Sequence, residues 1–168
     1  KSNKYMGLIK LKKNTTDVYS VGCLGKITEN KKTEDGRVLV NLIGVTRFEV
    51  KTEINNDKGY REFEVTYDKF KDDLSDIKEQ QKKTDKLKEL SDKTKFFFKR
   101  NGLLLNWKEF EKLDQDQRIN TLAMIAPISN EEKQTILESV NIQSKTKTLA
   151  EIIEFYLYEK SASSLTIQ

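Results

Sequence analysis

No histidine occurs among the 168 residues, which removes the side chain most often used as general base and metal ligand. The one cysteine, Cys23, has no thiol or imidazole partners for an ordinary zinc site. Gly22-Cys23-Leu24-Gly25-Lys26 superficially suggests a phosphate cradle. Its glycines are too close together and no hydroxyl follows the lysine, so it cannot wrap a phosphate. No Gly-x-Ser-x-Gly elbow is present to carry a nucleophilic serine. Carboxylates remain, and by count alone a pair could do glycosidase-type acid and base work. Glu109, Glu111, Asp114 and Asp116, however, sit among lysines in a helical pattern, where such acids ordinarily form a solvated face. The chain is therefore expected to carry no catalytic residue, no cofactor and no metal.

Four side chains are better suited to contact than to catalysis. Arg47 either offers its charge to an acidic group of a peptide or pairs across strands with Glu49 or Glu64. Phe96, Phe97 and Phe98 are consecutive, so they cannot share one helix face. Either one of them forms a contact surface, or two enter the core and the third lies between lobes. Trp107 is the only tryptophan. It either anchors the helix that it begins or lines a groove. Cys23, in an apolar stretch, reads as a small buried hydrophobe rather than a reactive thiol. The candidate peptide-binding set is Arg47, Phe97, Phe98 and Trp107.

Charge narrows the partners. The chain has 31 basic and 27 acidic residues. Residues 1–68 carry a net +3 and residues 69–168 a net +1, so neither part is a basic tail of the kind that marks nucleic-acid binding. Nucleic acid is not an expected partner. No apolar run approaches the length needed to span a bilayer. A single cysteine fits a reducing compartment, and a cytoplasmic location is expected. Asn14-Thr15-Thr16 fits the glycosylation pattern, which has no meaning in the cytoplasm. Oligomeric state is not legible.

Two periods organise the chain. Up to about residue 68 the pattern is that of strands: Tyr5–Leu11, Val18–Thr28, Val38–Ile43, Thr46–Ile54 and Tyr60–Tyr67. Asp35-Gly36 supplies a hairpin turn, and Gly44 a bulge or bend. From Asp73 the spacing becomes helical, with Leu74, Ile77, Gln81, Thr84, Leu87, Leu90 and Thr94 on one stripe. Asn101-Gly102 stops that helix. Asn106 caps a helix from Trp107, and another spans Gln115–Ala126 before Pro127. Ser129 or Asn130 caps a helix over Glu131–Ser139, with Ile136, Leu137 and Val140 inward. A last helix covers Ser144–Lys160. The expected organisation is a β-rich lobe (1–70), a helical lobe (71–160) and a loose tail (161–168).

Within this frame particular residues resemble a known family. Val18 to Ile27 is similar to the Gly-containing strand of the Lon protease N-terminal, substrate-binding domain. Asp35-Gly36-Arg37, Val40, Leu42, Gly44, Arg47 and Phe48 resemble its central hairpin, and Tyr60-Arg61 the opening of the next strand. Leu122 to Pro127, then Glu132-Lys133-Gln134 and Leu137-Glu138, resemble its helical part. The latter half is most similar to free-standing bacterial Lon-domain proteins. The resemblance implies an α+β fold: a PUA-like, mostly antiparallel β pseudobarrel followed by a C-terminal helical bundle. It implies a non-catalytic, adaptor or chaperone-like domain that binds unfolded or hydrophobic polypeptide segments, with a Lon-type protease as a further partner. The alternative is a PUA-like RNA-binding module. Two departures stand out. The family's proline-rich opening strands are not in this chain, so the barrel is expected to lack an edge. Lys145 and Lys147 stand where the family often has an arginine.

Overall fold

The computed structural model describes residues 4–74 and 85–163. The chain divides into two compact units, Lys1–Lys78 and Glu79–Gln168.

The first unit is a four-stranded antiparallel meander in the order β1-β2-β3-β4. Its strands are β1 (Tyr5–Leu8), β2 (Val21–Lys32), β3 (Val38–Ile54) and β4 (Glu62–Thr66). The β2–β3 hairpin turns where expected, with Gly36 at φ 83°, a value that glycine reaches without Cβ strain. The two strands expected on either side of Gly44 form one continuous β3. Gly44 pairs with Gly25 while Thr46 pairs with Leu24, so Val45 is the extra residue of a bulge. This lets the strand pass through Gly44 without ending. Val21, Phe48 and Phe70 are the buried hydrophobic side chains of this unit among the described residues.

The flanking strands are short. β1 pairs only with Cys23–Lys26 of β2, and β4 only with Glu49–Ile54 of β3. Among the described residues, the far parts of β2 and β3 therefore pair only with each other, as a two-stranded ribbon. The helical spacing that begins at Asp73 and Leu74 gives way there to a 3-10 segment, Asp68–Leu74. It belongs with the sheet, because Asp73 is held by Arg47. Ile77, Gln81 and Thr84 lie outside the described residues.

The second unit comprises α1 (Asp85–Arg100), α2 (Trp107–Phe110), α3 (Gln115–Ile125), α4 (Asn130–Glu138) and α5 (Ile142–Ser163). Local chemistry sets the ends. Gly102 N–H donates to Lys99 O and Leu103 N–H to Phe98 O, with Gly102 at φ 69°. This Schellman motif closes α1. Asp114 and Gln117 form a reciprocal capping box for α3, and Ser129 and Glu132 one for α4. Asn141 and Ser144 exchange equivalent bonds at the start of α5. The core joins Leu90, Phe97, Phe98, Phe110, Ile119, Leu122, Ile136, Leu149 and Ile153. Each such side chain contributes about 1.5–3 kcal/mol by leaving water. Val140, expected inward, lies beyond the end of α4 and is exposed. Ser161 to Ser163, expected in the tail, continue α5. The rest of the expected tail, 164–168, is outside the described residues.

Taken together, the architecture is α+β, an antiparallel sheet followed by helices.

Candidate functional site

Arg47 points into the sheet unit. It is 6% exposed. Its backbone N–H and Nε donate to Asp73 Oδ2 at 3.0 and 2.8 Å, and its Nη2 donates to Oδ1 at 2.7 Å. The guanidinium carbon lies 4.2 Å from the centroid of the Phe70 ring, within cation–π range. The cross-strand partners expected for Arg47 are not used: Glu49 lies near Lys51 and Lys69 instead. A buried guanidinium committed to Asp73 ties the 3-10 segment to β3 and presents no charge at the surface.

The aromatic candidates of the helical unit form one chain of rings. Phe97 and Phe98 are each 1% exposed. Centroid separations are 5.9 Å for Phe97–Tyr156, 6.0 Å for Phe98–Trp107 and 5.4 Å for Trp107–Phe110. Such tilted and edge-on pairs add to the burial itself. Phe97 and Phe98 are core residues with no surface to offer. Trp107 is half-buried, and Lys95 Nζ stands 5.3 Å from its ring centroid. Phe96, on the other side of α1, is 59% exposed. Cys23 is half-buried, in register with Leu8 on one side and Arg47 on the other.

Exposed apolar side chains occur in both units, Leu104, Met124 and Phe155 in the helical one among them; those of the sheet unit lie along its strands. Along β1 and the residues after it, Tyr5, Met6, Leu8 and Leu11 are exposed. On the ribbon, Val38, Leu39 and Ile43 are exposed. Leu39 and Ile43 stand on one face by strand alternation, and Val38 on the other. A signal for this was present in the sequence: Val38-Leu39-Val40-Asn41-Leu42-Ile43 is apolar at both odd and even positions. A strand with one wet face would alternate instead.

Polar groups of the same unit pair at its turns. At the ribbon tip, hydrogen bonds to Asp35, first from the Arg37 side chain and then from Thr33, hold its carboxyl down at about 2. In the β3–β4 turn, Arg61 Nε donates to Glu53 at 2.6 Å and its Nη1 to Thr16 O at 2.7 Å. This ties the 11–18 loop to that turn. Ile54, Asn55, Lys58, Tyr60 and Arg61 line an open depression of about 310 Å³ there. Among the described residues, no cluster of three or more His, Cys, Asp or Glu could hold a metal. No helix among them is long and apolar enough to cross a membrane.

No curated protein sequence matches the chain. Its fold is similar to the N terminal domain of Mycobacterium avium complex Lon protease, with a TM-score of 0.56 and 15% identity over 88% of this chain and 77% of that one. It is equally similar to a Lon N-terminal domain protein from Xanthomonas campestris, with a TM-score of 0.56 and 15% identity over 88% of each chain. At that identity the likeness concerns the fold. The substrate-binding domain family of ATP-dependent protease La (LON) matches residues 1–154, and the chain belongs to that family.

Proposed function

We propose that the sheet unit binds exposed apolar segments of unfolded polypeptide, as an adaptor or chaperone-like module working with a Lon-type protease. Membership of a substrate-binding family supports this reading. The observation that carries it is the apolar side chains left exposed on β1 and the ribbon, Tyr5, Leu39 and Ile43 on one face and Met6, Leu8 and Val38 on the other. Exposed apolar side chains grouped on a face are costly to keep in water and commonly mark binding surfaces. The protein acts in the cytoplasm, in keeping with its single cysteine. The alternative, RNA binding, is less favoured: Arg37, Arg47, Lys58 and Arg61 are each committed to an acid of the same unit.

The test is titration of the chain with a reduced, carboxymethylated protein, beside a random single-stranded RNA, across a salt series. The reading expects saturable polypeptide binding that persists at high salt. It also expects loss of that binding in the double variant Leu39→Asp, Ile43→Asp. Steeply salt-dependent RNA binding without polypeptide binding would overturn it.

A further inference from the structure

We infer that the depression at the β3–β4 turn seats one neutral aromatic side chain of a bound polypeptide, stacked against Tyr60, with the side-chain amides of Asn55 and Asn56 hydrogen-bonding the peptide groups beside it. This rests on the polypeptide-binding reading above and adds to it a side-chain preference and a place for that side chain within the same unit.

The concavity is made by the turn itself. Ile54 ends β3 and Glu62 begins β4, so residues 55–61 reverse the chain outside the ladder. With Glu53 and Ile54 they enclose about 310 Å³. Two apolar side chains of the lining stay in water there: Tyr60 is 63% exposed and Ile54 49%. An aromatic ring and a branched aliphatic group in a hollow with a few polar groups is the ordinary make-up of a binding site.

The wall is fixed before anything binds. Arg61 Nε and Nη2 donate to the two carboxylate oxygens of Glu53 at 2.6 and 2.5 Å, and Nη1 donates to Thr16 O at 2.7 Å. The guanidinium carbon stands 5.1 Å from the centroid of the Phe63 ring. Asn56 Oδ1 accepts the Lys58 N–H at 2.8 Å, which closes the turn. Groups already held in place lose little freedom when a ligand arrives.

Charge narrows the occupant. The charged residues of the lining are Glu53, Lys58 and Arg61. Arg61 pairs with Glu53 and Lys58 with Glu62, so no unmatched charge of either sign faces an incoming side chain. Lys58 Nζ also lies 5.4 Å from the centroid of the Tyr60 ring. A cation already at the ring disfavours a second from an incoming arginine or lysine. A neutral ring meets no such penalty and gains the stacking energy of an aromatic pair.

The amides supply the polar part. Among the described residues, Asn56 Nδ2 and the side chain of Asn55 have no hydrogen-bond partner. A carboxamide offers both donors and an acceptor, which match the C=O and N–H of a peptide group.

The experiment titrates the chain with nonapeptides of alternating threonine and valine whose central residue is phenylalanine, leucine, arginine or glutamate, beside the carboxymethylated protein. Affinity is read by anisotropy, and the side-chain amide signals of Asn55 and Asn56 by NMR. The phenylalanine peptide is expected to bind about fivefold more tightly than the leucine peptide, to bind more tightly than either charged peptide, and to move both amide signals. Tyr60→Ala should bring the phenylalanine-to-leucine ratio to about one with the thermal midpoint unchanged, because the side chain is exposed. Tyr60→Phe should keep the preference. Failure of the phenylalanine peptide to bind, equal or tighter binding of any other peptide, or a preference that survives Tyr60→Ala overturns the inference. Saturable binding of the carboxymethylated protein with the Asn55 and Asn56 signals unmoved overturns this site and leaves polypeptide binding standing. No binding of the peptides or of that protein removes both.

Discussion

Arg47 binds Asp73 through both its backbone and its side chain: the carboxylate accepts the Arg47 N–H at 3.0 Å, Nε at 2.8 Å and Nη2 at 2.7 Å. The guanidinium is almost wholly buried and the carboxylate mostly so. Removing one partner of such a pair strands the other charge out of water. Arg47→Ala is expected to destabilise the sheet unit by about 3 kcal/mol. Arg47→Lys should recover only part of this, because an ammonium cannot reproduce the two-pronged contact. Urea unfolding followed by circular dichroism checks both. A loss under 1 kcal/mol for the alanine variant would show that the pair does not hold the segment.

Gly22 and Gly7 both face Phe48 but differ in room. A Cβ at Gly22 would fall 2.5 Å from Phe48 Cζ and 2.7 Å from the Leu8 carbonyl oxygen, whereas one at Gly7 would meet the ring at 3.5 Å. Gly22→Ala must push β1 or the ring aside and should cost about 1–3 kcal/mol. Gly7→Ala should lie within about 0.5 kcal/mol of the parent. Thermal midpoints of the two variants give the comparison, and equal midpoints would contradict the packing described.

Adjacent phenylalanines on α1 should behave in opposite ways. Phe97→Ala removes a ring packed against Phe98 and Tyr156 and should cost about 3–5 kcal/mol. Phe96→Ser, at an exposed position, should change stability by less than about 0.5 kcal/mol. Denaturant midpoints measure the difference.

Glu132 makes the helical unit sensitive to acid. Its Oε2 accepts the Tyr156 hydroxyl at 2.8 Å and the Ser129 N–H at 2.7 Å. Burial pushes this carboxyl up, but the hydrogen bonds from Ser129 and Tyr156 together outweigh it and hold the group below its ordinary value. A carboxylate lowered on folding stabilises above its unfolded pKa, and that stabilisation is lost as pH falls through the folded value. The midpoint should therefore drop as pH falls below 4.5, the ordinary value for the group. Glu132→Gln keeps the capping geometry without the charge and should flatten this part of the pH profile.

Local chemistry was the most legible part of the sequence. Asp35-Gly36, Asn101-Gly102, Asn106 and Ser129 act at the turn and helix ends where their side chains or φ freedom are needed. Long-range pairing was not legible. Nothing near Arg47 in sequence points to Asp73, 26 residues away, and helical spacing at Asp73-Leu74 hides a segment held by that ion pair. Adjacent Phe97 and Phe98 both reach the core of the helical unit, though sequence made them contact candidates. The exposed ribbon went unread because what packs on a strand's faces is set by distant parts of the chain, which its own sequence does not record.

Capture of unfolded apolar polypeptide by the sheet unit can be read by hydrogen exchange and mass spectrometry, with and without saturating carboxymethylated polypeptide in high salt. Slower exchange is expected in peptides covering Tyr5–Leu8, Val21–Lys32 and Val38–Ile54, with little change in α3 and α4. Unchanged exchange across the sheet, or protection confined to the helices, would contradict it.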